Sequence, residues 1–491
     1  MTLDSSDKVA TDNGGLKKGA LGIAGLVAVA TGGVSPEYSA LLTGSIVAGI
    51  AGGATPAAFV LAGVGMFAFG LVMASLSRHV SAAGGLYSFA RKGLGSDVGY
   101  VTGWLYLGIA VIVTPATFIS SAFLVQNFFA AALPKETWLS ASWVPWALIL
   151  TPILLACAFV GVQVSVRLLL GLTVVGIAAV LVLDFAILAK GGANGIDWSS
   201  LSPFSLHGVS IESFLLGLGL AVTCIAGSEG AVFMAEEARN PRRSVPRAIM
   251  LTMGIVVLFY LLTSLALTSG LGSAKMGDWG TLGANVVTEL SDRYLVGWFG
   301  RLLLAVVATA GITGALAFTN YAARLLFEWG REAHLPRVFA RTHARFRTPV
   351  VALGTLAAAS LAGCLISWAW QGGSAQGGLV AFSWMYVVDA VLIAVIYPVV
   401  AIAGSVVGHR VKSGFVVKYV APVIVVALIG ISVKAQFFPL PASPYNTAVF
   451  AAAVWLALGI VIRAVMRKRS AKAESEGIAE PALEHGELAA E

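Results

Sequence analysis

Twelve apolar stretches divide this chain, and a helix needs about 20 apolar residues to cross a bilayer. They cover residues 19–48, 56–77, 98–131, 143–162, 165–189, 209–235, 247–271, 297–327, 349–369, 378–406, 418–436 and 447–466. The connections are mostly short, so the spans must fold back on one another as one bundle. Asp, Glu, Lys and Arg make up 11% of the 491 residues, against 58% hydrophobic. A typical soluble domain is about 25% charged, and so few charges cannot cover a water-exposed surface. A soluble globular fold is therefore excluded, and three cysteines exclude a disulfide scaffold. The 56 glycines follow no period of three; in an apolar chain they point to close helix packing or to interrupted helices.

A net charge of +7 suits either nucleic acid or a membrane topology, and the placement of the charges decides between them. With the N-terminus inside and strict alternation, only Lys135, Lys190, Lys275, Arg293, Arg301 and Lys434 fall outside. The other 25 of the 31 basic residues fall on the cytoplasmic side. Membrane proteins gather Lys and Arg in cytoplasmic loops, so the excess records orientation, and no nucleic-acid partner is expected. The expectation is a multi-pass protein of the plasma (inner) membrane with both termini cytoplasmic. Polar residues 1–16 and 467–491 are expected to be disordered tails, and no cleavable signal peptide is expected.

The first span contains Thr31-Gly32-Gly33-Val34-Ser35-Pro36-Glu37, and the sixth contains Cys224-Ile225-Ala226-Gly227-Ser228-Glu229-Gly230. Adjacent glycines weaken a helix by about 1 kcal/mol each, and proline removes a backbone donor. Irregular backbone at membrane depth is tolerated only inside protein or beside a water-filled cavity. Two breaks five spans apart fit two inverted five-helix repeats, each opening with a broken helix. Broken centres offer amides to a carboxylate and carbonyls to an ammonium group or cation. The plainer alternative is that these glycines serve helix packing alone.

After the sixth span come Glu236-Glu237-Ala238-Arg239-Asn240-Pro241-Arg242-Arg243-Ser244-Val245-Pro246-Arg247-Ala248-Ile249. With Gly227-Ser228-Glu229, this stretch resembles the sixth-helix break and cytoplasmic signature of the amino acid–polyamine–organocation superfamily, through Glu236, Glu237, Asn240, Pro241 and Pro246. Residues 77–87 are similar to that family's first cytoplasmic loop. The resemblance covers about residues 17–466. It implies an all-α membrane protein of 12 transmembrane helices, with a 5+5 inverted-repeat, LeuT-like core over 17–208 and 209–406. Two extra helices would follow over 407–466. It implies secondary transport of amino acids or amines by proton symport or exchange, without ATP. Two departures stand out. The first break reads Ala30-Thr31-Gly32 where the family has G-S-G or similar. Gly176 occupies the place where proton-coupled relatives often carry a lysine.

Acids within spans are costly and functional by default. Glu37, Glu229 and Asp389 lie at or near mid-span, while Asp184 is expected nearer the outer interface. A carboxyl group held away from water binds its proton more readily, which makes Glu229 a candidate proton or pH switch, with Glu37 and Asp389 favouring a cationic substrate. In the structural alternative these acids are protonated or hydrogen-bonded helix clips. Thr31, Gly32, Gly33, Ser35, Cys224, Ile225, Ala226, Gly227, Glu229, Tyr106, Thr313 and Asp389 are the expected substrate contacts. Glu229, Glu37, Thr309 and Trp384 are the expected coupling or gating residues. Thr309 and Thr313 can offer hydroxyls to a coupling ion or substrate, or bond their own helix carbonyls. Tyr106 and Trp384 can stack on an ammonium group or simply fill the bundle. No metal cluster, Walker-type loop or nucleophile–base signature is present, so neither a cofactor nor an enzyme is expected. The coupling ion is expected to be a proton rather than sodium. The expected partners are an amino acid, polyamine or small amine, and the lipid bilayer. The runner-up function is a membrane-embedded amino acid sensor without net transport.

Overall fold

The computed structural model describes residues 16–80, 84–132, 137–160, 162–438 and 440–475. Among these, 15 helices have eight or more residues. They are α1 (Ile23–Val34), α2 (Gly44–Ala51), α3 (Thr55–Leu76), α4 (Leu86–Leu94), α5 (Ser96–Ala132), α6 (Val144–Val160), α7 (Val162–Ala189) and α8 (Ile211–Cys224). They continue with α9 (Pro241–Leu271), α10 (Val286–Tyr294), α11 (Gly297–Arg331), α12 (Val350–Gln371), α13 (Ala375–Arg410), α14 (Ala421–Phe437) and α15 (Tyr445–Ser475). There is no strand among the described residues, only an isolated parallel bridge between Leu21 and Ala238.

Nine helical runs among the described residues are long and apolar enough to cross a membrane. The difference from the 12 expected spans has two sources. The first two expected spans form one 54-residue run, Ile23–Leu76, and the fourth and sixth are the shorter apolar helices Val144–Phe159 and Ile211–Cys224. The sixth is short because its break ends the helix at Cys224.

The outside of the bundle is apolar. α7 exposes Val174, Val175 and Phe185, and α15 exposes Phe450, Val454 and Val461. An apolar belt of this kind matches a hydrocarbon solvent, where helix association rests on close packing. The interior is aromatic as well as aliphatic: Phe69 stacks on Tyr397 at 4.2 Å, and Trp104 on Trp455 at 4.6 Å. Most of the two expected tails, residues 1–15 and 476–491, lies outside the described residues, as do residues 81–83 of the first loop motif. Leu16 is buried against Phe327. α15 runs past Arg467 to Ser475, because Arg-Lys-Arg-Ser-Ala-Lys-Ala-Glu is made largely of good helix formers.

The signature residues tie one end of the bundle together. Asn240 takes a left-handed conformation (φ 50°), which asparagine tolerates better than most residues. Pro241 then starts α9, where its missing N–H costs nothing. The Leu21 N–H donates to Glu237 O (2.9 Å), and the Arg239 N–H donates to Leu21 O (2.8 Å). The approach to α1 is thereby stitched to the segment that follows the second break. Glu236 pairs with Arg331 at 2.6 Å, on the protein surface. Glu237 is buried and receives Arg324 Nε at 2.7 Å, while Arg324 also donates to Asn320.

Removing one member of a buried pair leaves an uncompensated charge, at about 3–5 kcal/mol. Arg324→Met should therefore sharply lower the melting temperature of the detergent-purified protein. The double variant Arg324→Met/Glu237→Gln should recover much of that loss, whereas a double no more stable than the single would contradict the pairing.

Candidate substrate site

Each break begins with a residue that the helix cannot absorb. α1 ends at Val34, and Ser35 turns left-handed (φ 46°) ahead of Pro36. The Ser35 N–H donates to Thr31 O at 2.9 Å, and its hydroxyl donates to Gly32 O at 2.7 Å. One residue thus satisfies two of the carbonyls released by the break. The backbone then re-forms a helix through residues 36–38 and a π-helical turn, Ser39–Thr43, into α2. In the sixth span, α8 stops at Cys224. The next residues make i→i−3 bonds, Ile225 N–H to Val222 O and Ala226 N–H to Thr223 O. Gly227 adopts φ 100°, which L side chains avoid.

The two breaks touch each other. A Cβ placed on Gly33 would lie 2.8 Å from Gly227 O and would collide with the Tyr321 hydroxyl; one placed on Gly227 would lie 2.7 Å from Gly33 O. Tyr321 donates to Val29 O at 2.6 Å, so it also holds a carbonyl of α1. Glycine at both positions permits backbone to lie against backbone at the crossing.

Glu229 closes this centre and is 2% exposed. Its Oε2 accepts the Gly227 N–H at 3.0 Å and the Tyr397 hydroxyl at 3.2 Å; its Oε1 accepts the Tyr106 hydroxyl at 3.4 Å. Tyr106 packs on Phe233 (4.6 Å), which stacks on Tyr321 (5.6 Å). Asp389 lies within electrostatic range of Glu229, Tyr106 and Tyr397, and its Oδ1 has no hydrogen-bond partner. On the other side of the break, Cys224 O accepts Ser39 Oγ (3.0 Å) and the Tyr260 hydroxyl (2.7 Å). The Tyr386 hydroxyl donates to Leu220 O at 3.2 Å.

The chain belongs to the amino acid permease family. The family model described as amino acid permease matches residues 21–464. The methylthioribose transporter of Bacillus subtilis is 28% identical over 63% of this chain and 66% of its own length. Cationic amino acid transporter 4 of Homo sapiens is 27% identical over 68% of this chain and 52% of its own. An uncharacterized transporter of Mycobacterium tuberculosis is 26% identical over 56% of this chain and 58% of its own. The permease therefore spans less than two thirds of each of these relatives. Its membership of this family agrees with the nine helical runs among the described residues that are long and apolar enough to cross a membrane.

Most expected site residues of the permease gather around the two breaks. Thr31, Gly32, Gly33 and Ser35 line the first, and Cys224, Ile225, Ala226, Gly227 and Glu229 form the second. Thr313 joins them: its Oγ1 lies 3.0 Å from Ser35 Oγ while it donates to Ala310 O at 2.7 Å. Two expected residues are not brought in. Thr309 is exposed and donates to Val306 O of its own helix at 2.8 Å. Trp384 donates to Thr447 at the start of α15 at 2.8 Å, an amphipathic ring anchored away from the breaks. Asp184 also departs from expectation. It is fully buried, and its Oδ2 accepts the Thr263 hydroxyl at 2.7 Å. Sequence reading missed Tyr321, Tyr397, Tyr260 and Tyr386. Each is a hydroxyl on a helix distant in sequence, with no local motif around it.

Overpacking at a tight crossing costs about 1–3 kcal/mol. Gly33→Ala should lower the melting temperature accordingly. Adding Tyr321→Phe should not restore it, because Gly227 O remains in the way; full restoration by the double variant would show that the hydroxyl alone sets the contact.

Proposed function

We propose that this permease is a secondary active transporter that carries an amino acid or small amine across the plasma membrane by alternating access. One observation carries the reading: two helix breaks meet at Gly33 and Gly227, with a buried carboxyl group, Glu229, built into the second. In the proposed topology 12 spans cross the membrane with both termini cytoplasmic, and residues 17–208 and 209–406 form inverted repeats. Helices over 407–466 complete the bundle.

A substrate ammonium group suits this centre better than a second anion. Glu229 already takes the Gly227 amide, the position that a ligand carboxylate would otherwise claim at the second break. Asp389 adds a second acid within range, and the faces of Tyr106 and Phe233 can cover a cation. The human relative carries the name of a cationic amino acid transporter, which points the same way, while the Bacillus relative is named for methylthioribose. In transport, helices around the two breaks rock against the remaining helices, exposing the centre first on one side and then on the other.

Counterflow tests the reading. Proteoliposomes loaded with an unlabelled mixture of amino acids, putrescine and spermidine should take up label from the same mixture outside. Gly32→Leu should abolish uptake while the protein remains in the membrane, because a Cβ there already lies 3.0 Å from Leu169 Cδ2. Binding without exchange in the wild type would identify a sensor instead, and normal uptake by Gly32→Leu would move the site away from the breaks.

A further inference from the structure

The two acids beside the breaks are held in opposite ways. Glu229 accepts three hydrogen bonds, including one from a backbone amide. Glu37 is 0% exposed, and neither of its carboxyl oxygens has a hydrogen-bond partner among the described residues. An ionised carboxylate buried with so little side-chain support is costly, and a proton or a cationic partner removes that cost.

Among the described residues, the surroundings of Glu37 supply no cation. Its segment, residues 36–38, packs against α7, α9 and α11. From α9 the facing titratable group is Tyr260, whose hydroxyl is committed to Cys224 O. On α7 it is Asp184, eight residues beyond Gly176 and so about 12 Å along the helix, bonded to Thr263. On α11 Tyr321 is committed to Val29 O, and Arg324 to Glu237 and Asn320. The neighbouring Tyr38 donates to Ser120.

The space for this carboxyl group is made by one residue. A Cβ on Gly176 would lie 2.7 Å from both Cγ and Oε1 of Glu37, and 2.8 Å from Cδ. Any larger side chain at position 176 would displace the carboxyl group. α7 presents a buried stripe on this side, Leu169, Thr173, Val180, Leu183, Asp184 and Ile187. Its Leu169 meets Gly32 of the first break. Glu37 and the substrate centre therefore share the first broken span, Glu37 facing Gly176 and Gly33 facing Gly227.

We propose that Glu37, seated against Gly176, is the site at which the coupling proton is bound, and that Glu229 instead organises the second break. The step is a simple protonation. The carboxylate takes a proton from one side of the membrane, crosses the transport cycle as a neutral acid, and returns the proton on the other side. Neutral Glu37 leaves α1 free to move past α7, whereas ionised Glu37 demands hydration and resists closure. This rests on the transport reading above, so the test has one arm that does not.

Infrared spectroscopy of the purified full-length protein in lipid at neutral pH should show the carbonyl stretch of a buried protonated acid. The band should lose intensity in Glu37→Gln and shift in Gly176→Ala. An unchanged band in both variants overturns the proposal whether or not transport is detected. In proteoliposomes given the amino acid, putrescine and spermidine mixture, Glu37→Gln should lose uptake driven by a pH gradient while keeping counterflow. Gradient-driven uptake that survives Glu37→Gln but is lost in Glu229→Gln would assign the proton to Glu229. Absence of counterflow in the wild type defeats the transport reading and leaves the infrared arm to decide on Glu37.

Discussion

In hydrocarbon no water is available to satisfy a free backbone N–H or C=O, so every interruption of a helix must be repaired by the protein itself. The rest of this structure depends on how that repair is made at two places. At the first break Ser35 does most of it, turning left-handed and returning both its amide and its hydroxyl to α1. At the second, the carboxyl group of Glu229 takes the Gly227 amide, and Cys224 O is taken by Ser39 and Tyr260. The repairs come from α1, α5, α9, α11 and α13, so these helices are held in register by the same bonds that satisfy the breaks. A centre assembled in this way is rigid where its groups are paired and open to ligand chemistry only where they are not.

The glycines show how packing and function share residues. Gly33 and Gly227 are required because two backbones cross within van der Waals reach. The two readings set out from sequence, packing glycines and broken-helix glycines, are therefore not alternatives at this point. The packing of one break on the other is what brings the two sets of released backbone groups to a common centre. Tyr321 reinforces this arrangement from outside, with its hydroxyl on Val29 O and its ring in the stack with Phe233.

Much of this was legible in the sequence because it was written as local exceptions. Proline and paired glycines in an apolar run announce a break. An acid in such a run announces a site, and the Glu-Glu, Asn-Pro and Pro spacing announces the segment that anchors α9. What escaped was carried by geometry between distant helices. Tyr397 reaches Glu229 from α13, and nothing near it in the sequence distinguishes it from a core aromatic. Thr309 and Thr313 look equivalent, one turn apart on α11. Only Thr313 meets Ser35, because the packed face of a helix cannot be oriented from one sequence alone. Asp184 was placed near the interface by its distance from the end of the span, yet the bundle covers it completely and gives it Thr263.

The buried acids form a graded series, and the grading separates their roles. Glu237 has a full ionic partner in Arg324 and acts as a fixed clamp. Glu229 has three donors but no cationic partner among the described residues, which suits a group that stays in place while a charged ligand comes and goes. Among the described residues Asp184 has one donor, and neither Glu37 nor the Oδ1 of Asp389 has any. Electrostatics assigns cost in the reverse order: the fewer the partners, the more the neutral form is favoured over the charged one. A transporter needs groups at both ends of that scale, some whose charge never changes so that the gates close identically each cycle, and at least one whose charge is cheap to remove. In the coupling scheme proposed above the second kind lies against Gly176, where the absence of a side chain on α7 makes the space for the carboxyl group.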